Sequence, residues 1–239
     1  MSPSAQAVPH VPDSALADTV LLRLTRVYPE AADPGRAVST AAYLRNVAPL
    51  LGIPAPHRRA LSRAVLAGTG RPDETDCTAI ALRCWELPER EYRYFAADFL
   101  RRHVGCCTSG FVPVLRHLVS TDPWWDTVDV LAVHVAGPLV SAAPALRTTM
   151  DRWAEDDDLW VVRTALLHQL RYQERTDADR LFGYCLLRAG HPDFFIRKAI
   201  GWSLREYAKT DPHAVRAFVD GARDRLAPLS VREALKNLG

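Results

Sequence analysis

No stretch of this 239-residue chain offers the roughly 18 consecutive apolar residues of a membrane-spanning helix. Its N-terminus, Met1 to Asp13, lacks the basic segment and apolar core of a secretory signal, and is expected to form a short flexible leader. Cysteine is scarce and poorly spaced for cross-linking: residues 77, 84, 106, 107 and 185 make an odd set with one adjacent pair and no C-x-x-C. That excludes a disulfide framework and a structural zinc ribbon. His103 ahead of Cys106 and Cys107 is too sparse a set for a metal centre, so buried, reduced thiols in a cytoplasmic protein are expected, with no metal. Strand-type alternation is also missing, which leaves helices to build the fold.

What is present is an ordinary globular balance, 48% hydrophobic and 24% charged. A chain of this composition and length buries a substantial core and is not disordered. The net charge of +2 is unevenly placed. From Trp160 onward 14 Lys+Arg face 9 Asp+Glu, whereas the preceding part has 16 against 19. A basic C-terminal third suits an anionic partner.

Apolar residues recur at helical spacing in segment after segment, separated by Gly, Pro and short polar joints. Helices are expected over 15–27, 38–51 (stopped by Gly52), 57–67, 73–86, 89–103, 109–119, 124–137, 143–154, 157–172, 177–189, 193–208, 212–224 and 229–237. An internal period accompanies them. Trp125, Trp160 and Phe195 are 35 residues apart in turn, each two or three residues after an aspartate, and Thr176-Asp177 and Thr210-Asp211 recur at a spacing of 34. Self-similarity at this length means stacked helix pairs, none able to bury its apolar face alone. The tetratricopeptide residue pattern is absent, so a degenerate HEAT-like solenoid filling residues 14–239 as one domain is the expectation. Stacked pairs curve, and equivalent positions line one concave face. Val128, Arg163 and Lys198 form one such series; Asp129, Thr164 and Ala199 form another, in which Asp129 alone carries a carboxylate.

Two segments carry candidate chemistry. Trp125 and Asp129 are four residues apart and share a helix face, and one of the adjacent Trp124 and Trp125 must point away from the core. Lys198, Trp202 and Arg205 form one stripe, continued by Lys209. Cations flanking an aromatic ring suit nucleic acid, the cations meeting phosphate and the ring meeting sugar or base.

These residues also carry a resemblance. W-W-D-T-V-D (124–129), D-L-W-V-V-R (158–163), F-F-I-R-K-A-I-G-W-S-L-R-E-Y-A-K-T (194–210) and L-A-P-L-S-V-R-E-A-L-K (226–236) resemble the AlkD-type DNA alkylation repair family. So do Y-L-R-N (43–46), L-G-I-P-A-P-H-R-R (51–59) and L-P-E-R-E-Y (87–92), giving a likeness over roughly residues 20–238 with order and spacing kept. The resemblance implies an all-α, right-handed superhelical solenoid of HEAT-like repeats with a concave basic cleft that cradles duplex DNA. It implies a DNA glycosylase that hydrolyses the N-glycosidic bond of N3- or N7-alkylated purines without drawing the base into a pocket, acting as a monomer associated with the nucleoid. By the same resemblance Asp129 is the catalytic aspartate, Trp125 and Trp202 are the cleft tryptophans, and Tyr43, Arg163 and Arg171 contact DNA, with Lys198 and Arg205 beside them.

The chemistry suits these residue types. Alkylation makes the purine a cationic leaving group, so no general acid and no cofactor is called for. As the bond breaks, positive charge spreads onto the deoxyribose. An aspartate can stabilise that charge and orient the attacking water, and indole faces attract cations. Two departures bear on affinity. Ala55 precedes Pro56 where relatives carry a residue able to bind phosphate, and 101–107 is here R-R-H-V-G-C-C. A non-catalytic binder of damaged DNA and a protein–protein scaffold are the competing readings.

Overall fold

The computed structural model describes residues 8–238, and all regular structure among them is helical. The chain divides into two compact units at the Asp122–Pro123 boundary. The first contains α1 (Ala15–Glu30), α2 (Pro34–Tyr43), α3 (Ala55–Val65), α4 (Glu74–Glu86), α5 (Arg90–His103) and α6 (Val112–Ser120), with single 3-10 turns at 104–106 and 109–111. The second contains α7 (Trp125–Leu131), α8 (Gly137–Ala142), α9 (Arg147–Ala154), α10 (Leu159–Leu167), α11 (Ala178–Leu187), α12 (Phe194–Tyr207), α13 (Pro212–Gly221) and α14 (Pro228–Ala234). Among the described residues no helix is long and apolar enough to cross a membrane.

Aspartate and serine start several of these helices by satisfying orphan N–H groups. Ser14 caps α1 at Ala17, Asp73 and Asp76 form a capping box on α4, and Asp158, Asp177, Asp193 and Asp211 cap α10, α11, α12 and α13. The repeated aspartates of the sequence are therefore helix starts. Asp122 is the exception: it sits at φ 43° and pairs with Arg93 at 2.9 Å. Part of the leader, residues 1–7, lies outside the described residues; farther along, the Pro12 carbonyl accepts from Arg83 at 3.5 Å.

In the first unit α4 packs on α5, and α1 packs on both α3 and α4. Tyr28 stacks on Tyr92 at 5.5 Å and meets the edge of Phe95 at 6.5 Å, within a core that includes Ile80, Cys84 and Leu100. The helix expected over 38–51 is corrected to Pro34–Tyr43. Asp33 caps it, Pro34 fits its first turn, and Arg45 and Asn46 leave it in left-handed conformation (φ 61° and 56°). The chain from 47 to 54 is not helical, and the amides of residues 51–53 are taken by a distant side chain. The buried Glu91 carboxylate accepts the backbone N–H groups of Leu51, Gly52 and Ile53 at 3.0, 2.8 and 3.3 Å. Gly52, at φ 80°, is required for close approach: a Cβ there would lie 2.2 Å from the Asp33 carbonyl oxygen.

In the second unit α10 packs on α9 and α12, and α12 packs closely on α14. The expected 124–137 helix breaks after Leu131 into a π-helical turn, 132–136, before α8 begins at Gly137. Tertiary hydrogen bonds recur here at the repeat spacing. Tyr172 donates to the Gly137 carbonyl (2.7 Å), Tyr184 to Asp151 (2.6 Å), Arg188 to the Ala154 carbonyl (2.6 Å) and Ser230 to the Arg197 carbonyl (2.9 Å), each 33–35 residues apart. Neighbouring helix pairs are thus tied one repeat apart, the mark of a HEAT-like all-α fold. In such a fold most contacts are between neighbours, so a division into compact units does not by itself count domains.

Candidate active site

The second unit gathers most of the candidate residues, and the adjacent tryptophans decide how. Trp124 packs its ring against Trp160 at 5.7 Å and Phe195 at 5.0 Å, and those two rings are 5.0 Å apart. The ring contacts with Trp160 and Phe195 are therefore made by Trp124, rather than by the Trp125 read from the sequence. Trp125 begins α7, half-buried, one turn before Asp129 on the same side of the helix.

Asp129 meets Arg163 of α10 in a two-point fork: Nε donates to Oδ1 at 2.6 Å and Nη2 to Oδ2 at 2.8 Å. The Arg163 side chain is 1% exposed and the Asp129 side chain 22%, so the carboxylate is the end of the pair that faces outward. Arg163 also donates through Nη1 to the Phe195 carbonyl, 2.5 Å away, and its guanidinium lies 5.8 Å from the Phe195 ring and 5.2 Å from the Trp202 ring. These contacts fix the carboxylate's orientation from behind. Burial pushes the Asp129 carboxyl above the ordinary range; the Arg163 bonds oppose this, and the neighbouring Asp126 charge adds to it. A carboxylate has about four lone-pair directions, and the fork uses two.

On α12, Lys198 Nζ lies 5.4 Å from the Trp202 ring, so two cations, Arg163 and Lys198, face one indole. Lys198 and Arg205 both bind Glu233 of α14, at 2.8 and 2.7 Å. Lys209, one turn farther on, pairs with Glu206. Arg171 is exposed in the turn after α10, with Nη1 3.4 Å from His134 Nδ1. Tyr43 belongs to the first unit, exposed at the C-terminal end of α2. The structure thus brings together Asp129, Arg163, Trp202, Lys198 and Arg205, with Trp125 on the Asp129 helix. Arg163, expected at phosphates, is committed in the free protein to Asp129 and Phe195.

Sequence reasoning missed Glu233 and Gly201. A Cβ on Gly201 would lie 2.4 Å from the Glu233 Cβ and 3.0 Å from the Ser230 carbonyl oxygen, so glycine lets α14 approach α12 and deliver the carboxylate. The signal was available: Glu233 stands 35 residues after Lys198, one repeat on. Of the cysteines, 77, 84 and 185 are buried as expected, whereas 106 and 107 are half-buried. Among the described residues no group of three His, Cys, Asp or Glu could hold a metal ion.

No curated protein matches the chain significantly. A family model described as DNA alkylation repair enzyme matches residues 25–238. A solved structure titled a predicted DNA alkylation repair enzyme from Enterococcus faecalis is similar at 31% identity and a TM-score of 0.80, over 87% of this chain and 97% of that one. With nearly the whole length matched, the chain belongs to the DNA alkylation repair enzyme family.

Proposed function

We propose that this protein is a DNA glycosylase that hydrolyses the N-glycosidic bond of cationic N3- or N7-alkylated purines in duplex DNA. The observation that carries the reading is the outward-facing Asp129 carboxylate, forked from behind by a buried arginine that also lies against Trp202. A binding module has no use for a carboxylate among residues that meet phosphates, because like charges repel. An enzyme that must steady a positive deoxyribose does.

In this mechanism the alkylated purine leaves as a neutral base, drawing the bonding electrons with it. Asp129 faces the sugar as cationic charge develops and orients the water that attacks the anomeric carbon. Trp125 and Trp202 lie against the sugar and lesion, each cation–indole contact worth about 0.5–2 kcal/mol. Arg163 is a positioning residue for the carboxylate. Arg171 serves the DNA backbone, as does Tyr43 of the first unit, while Lys198 and Arg205 place positive charge beside the Trp202 ring. An unalkylated purine is spared because it would have to leave as an anion. Chemistry at the sugar needs no extrusion of the base, so bulky adducts fit the same scheme.

The alternative, a non-catalytic binder of damaged DNA, draws on the engagement of both Asp129 oxygens by Arg163. One experiment separates the two. Purified protein is incubated with duplexes bearing 7-methylguanine, 3-methyladenine or a bulky purine adduct, and freed bases are measured by mass spectrometry. Release that Asp129→Asn abolishes while duplex binding persists supports the glycosylase; binding without release by the wild type supports the binder.

A further inference from the structure

The residue left without a role is Glu233. It is 15% exposed, carries no repeat aspartate's capping duty, and receives both Lys198 and Arg205. Those two cations hold its carboxyl below the usual range, Lys198 foremost, so it is charged at neutral pH. Gly201 exists in α12 at the point where α14 brings it in. The resulting arrangement is a line of alternating charge around one indole: Asp129, Arg163, the Trp202 ring, Lys198, Glu233, Arg205.

From this geometry we infer that Glu233 is a positioning residue which withholds Lys198 and Arg205 from DNA phosphates and sets the charge beside Trp202 for a cationic transition state. The inference rests on the glycosylase reading and deepens it. With Glu233 the five charged groups sum to +1; without it they sum to +2. The added positive charge has opposite consequences for the two steps. A polyanionic duplex binds more tightly to the more cationic surface, because each freed cation can release another counterion. A deoxyribose acquiring positive charge near Asp129 is disfavoured by the same change. A carboxylate that merely holds α14 in place would make no such split, since loosening the helix would weaken binding and catalysis together.

The test is Glu233→Gln, which keeps the shape and the hydrogen-bonding acceptor. Affinity for an unmodified duplex is measured by fluorescence anisotropy across a salt series, and base release from a 7-methylguanine duplex under single-turnover conditions. The variant is expected to bind more tightly, with a log K against log[salt] slope steeper by about 1–2, and to release base about three- to tenfold more slowly. The double variant Glu233→Gln/Arg205→Gln, which restores the +1 sum, should bring the slope back toward the wild-type value. Unchanged binding and release, or a parallel loss of both in the folded variant, overturns the inference. If the wild type releases no base, the glycosylase reading fails on its own; the salt slope, read without any chemistry, still reports whether Glu233 withholds the two cations.

Discussion

Replacing Asp129 by Asn perturbs stability as well as chemistry, and the structure gives the size of the first. The substitution leaves one acceptor oxygen and turns an amide N–H₂ toward a guanidinium, so one arm of the 2.6 and 2.8 Å fork is lost. Arg163 stays behind with its charge, 1% exposed, still holding the Phe195 carbonyl. Breaking a fully buried ion pair from one side costs about 3–5 kcal/mol. Here the carboxylate is 22% exposed and water reaches it, which reduces the expectation to about 2 kcal/mol. At about 2–4 °C per kcal/mol for a chain of this size, the melting temperature should fall by about 4–8 °C. Arg163→Met should also destabilise, since it leaves a half-buried carboxylate without its partner. The double variant should be less destabilised than the sum of the two, with a coupling of about 1–2 kcal/mol. Thermal and urea melts of the four proteins at neutral pH measure this cycle, and base release measured well below the lowest melting temperature keeps the chemical loss separate. Asp129→Asn melting with the wild type, or strictly additive single effects, would refute the pairing and with it the account of how the carboxylate is oriented.

The buried His168 imidazole is held down to about 4, chiefly by burial. It is neutral in the folded state while the unfolded chain protonates near 6.5, so its contribution is complete above pH 6.5 and is lost as pH falls toward about 4, by up to about 3 kcal/mol. Urea unfolding between pH 7 and 5 should therefore weaken with acid, and His168→Leu should flatten that limb; an equal slope in the variant would remove His168 as its cause. Glu91→Gln should destabilise the first unit by about 1–3 kcal/mol by weakening its hold on three amides. Hydrogen exchange at Leu51, Gly52 and Ile53 should accelerate selectively, and unchanged protection there would contradict the assigned contacts.

Helical periodicity located nearly every element of the second unit because its helices bury apolar residues against their neighbours, and α10 to α13 are each started by an aspartate. The 38–51 expectation failed for a reason that local pattern does not contain. Apolar spacing favoured a helix, but Glu91, some 40 residues on, takes the amides of Leu51 and Gly52 and bends the chain out of one. The repeat was legible as a 35-residue period, yet its register was not. Trp124 and Trp125 are chemically equivalent in the sequence, and only the tertiary structure shows that it is Trp124 that joins Trp160 and Phe195 in an aromatic cluster.

The amino-acid sequence by itself determined the all-helical class, the repeat length, the family and the residue types available for chemistry, because these follow from periodicity, capping and motif, which are properties of neighbours along the chain. Only the tertiary structure decided which charges neutralise one another. Arg163 read as a cation for phosphate and proved to be the fork behind Asp129; Lys198 and Arg205 read the same way and proved to share Glu233. A charge's partner depends on which helix arrives beside it and how closely, and here that closeness is set by one glycine on α12 and one buried arginine on α10.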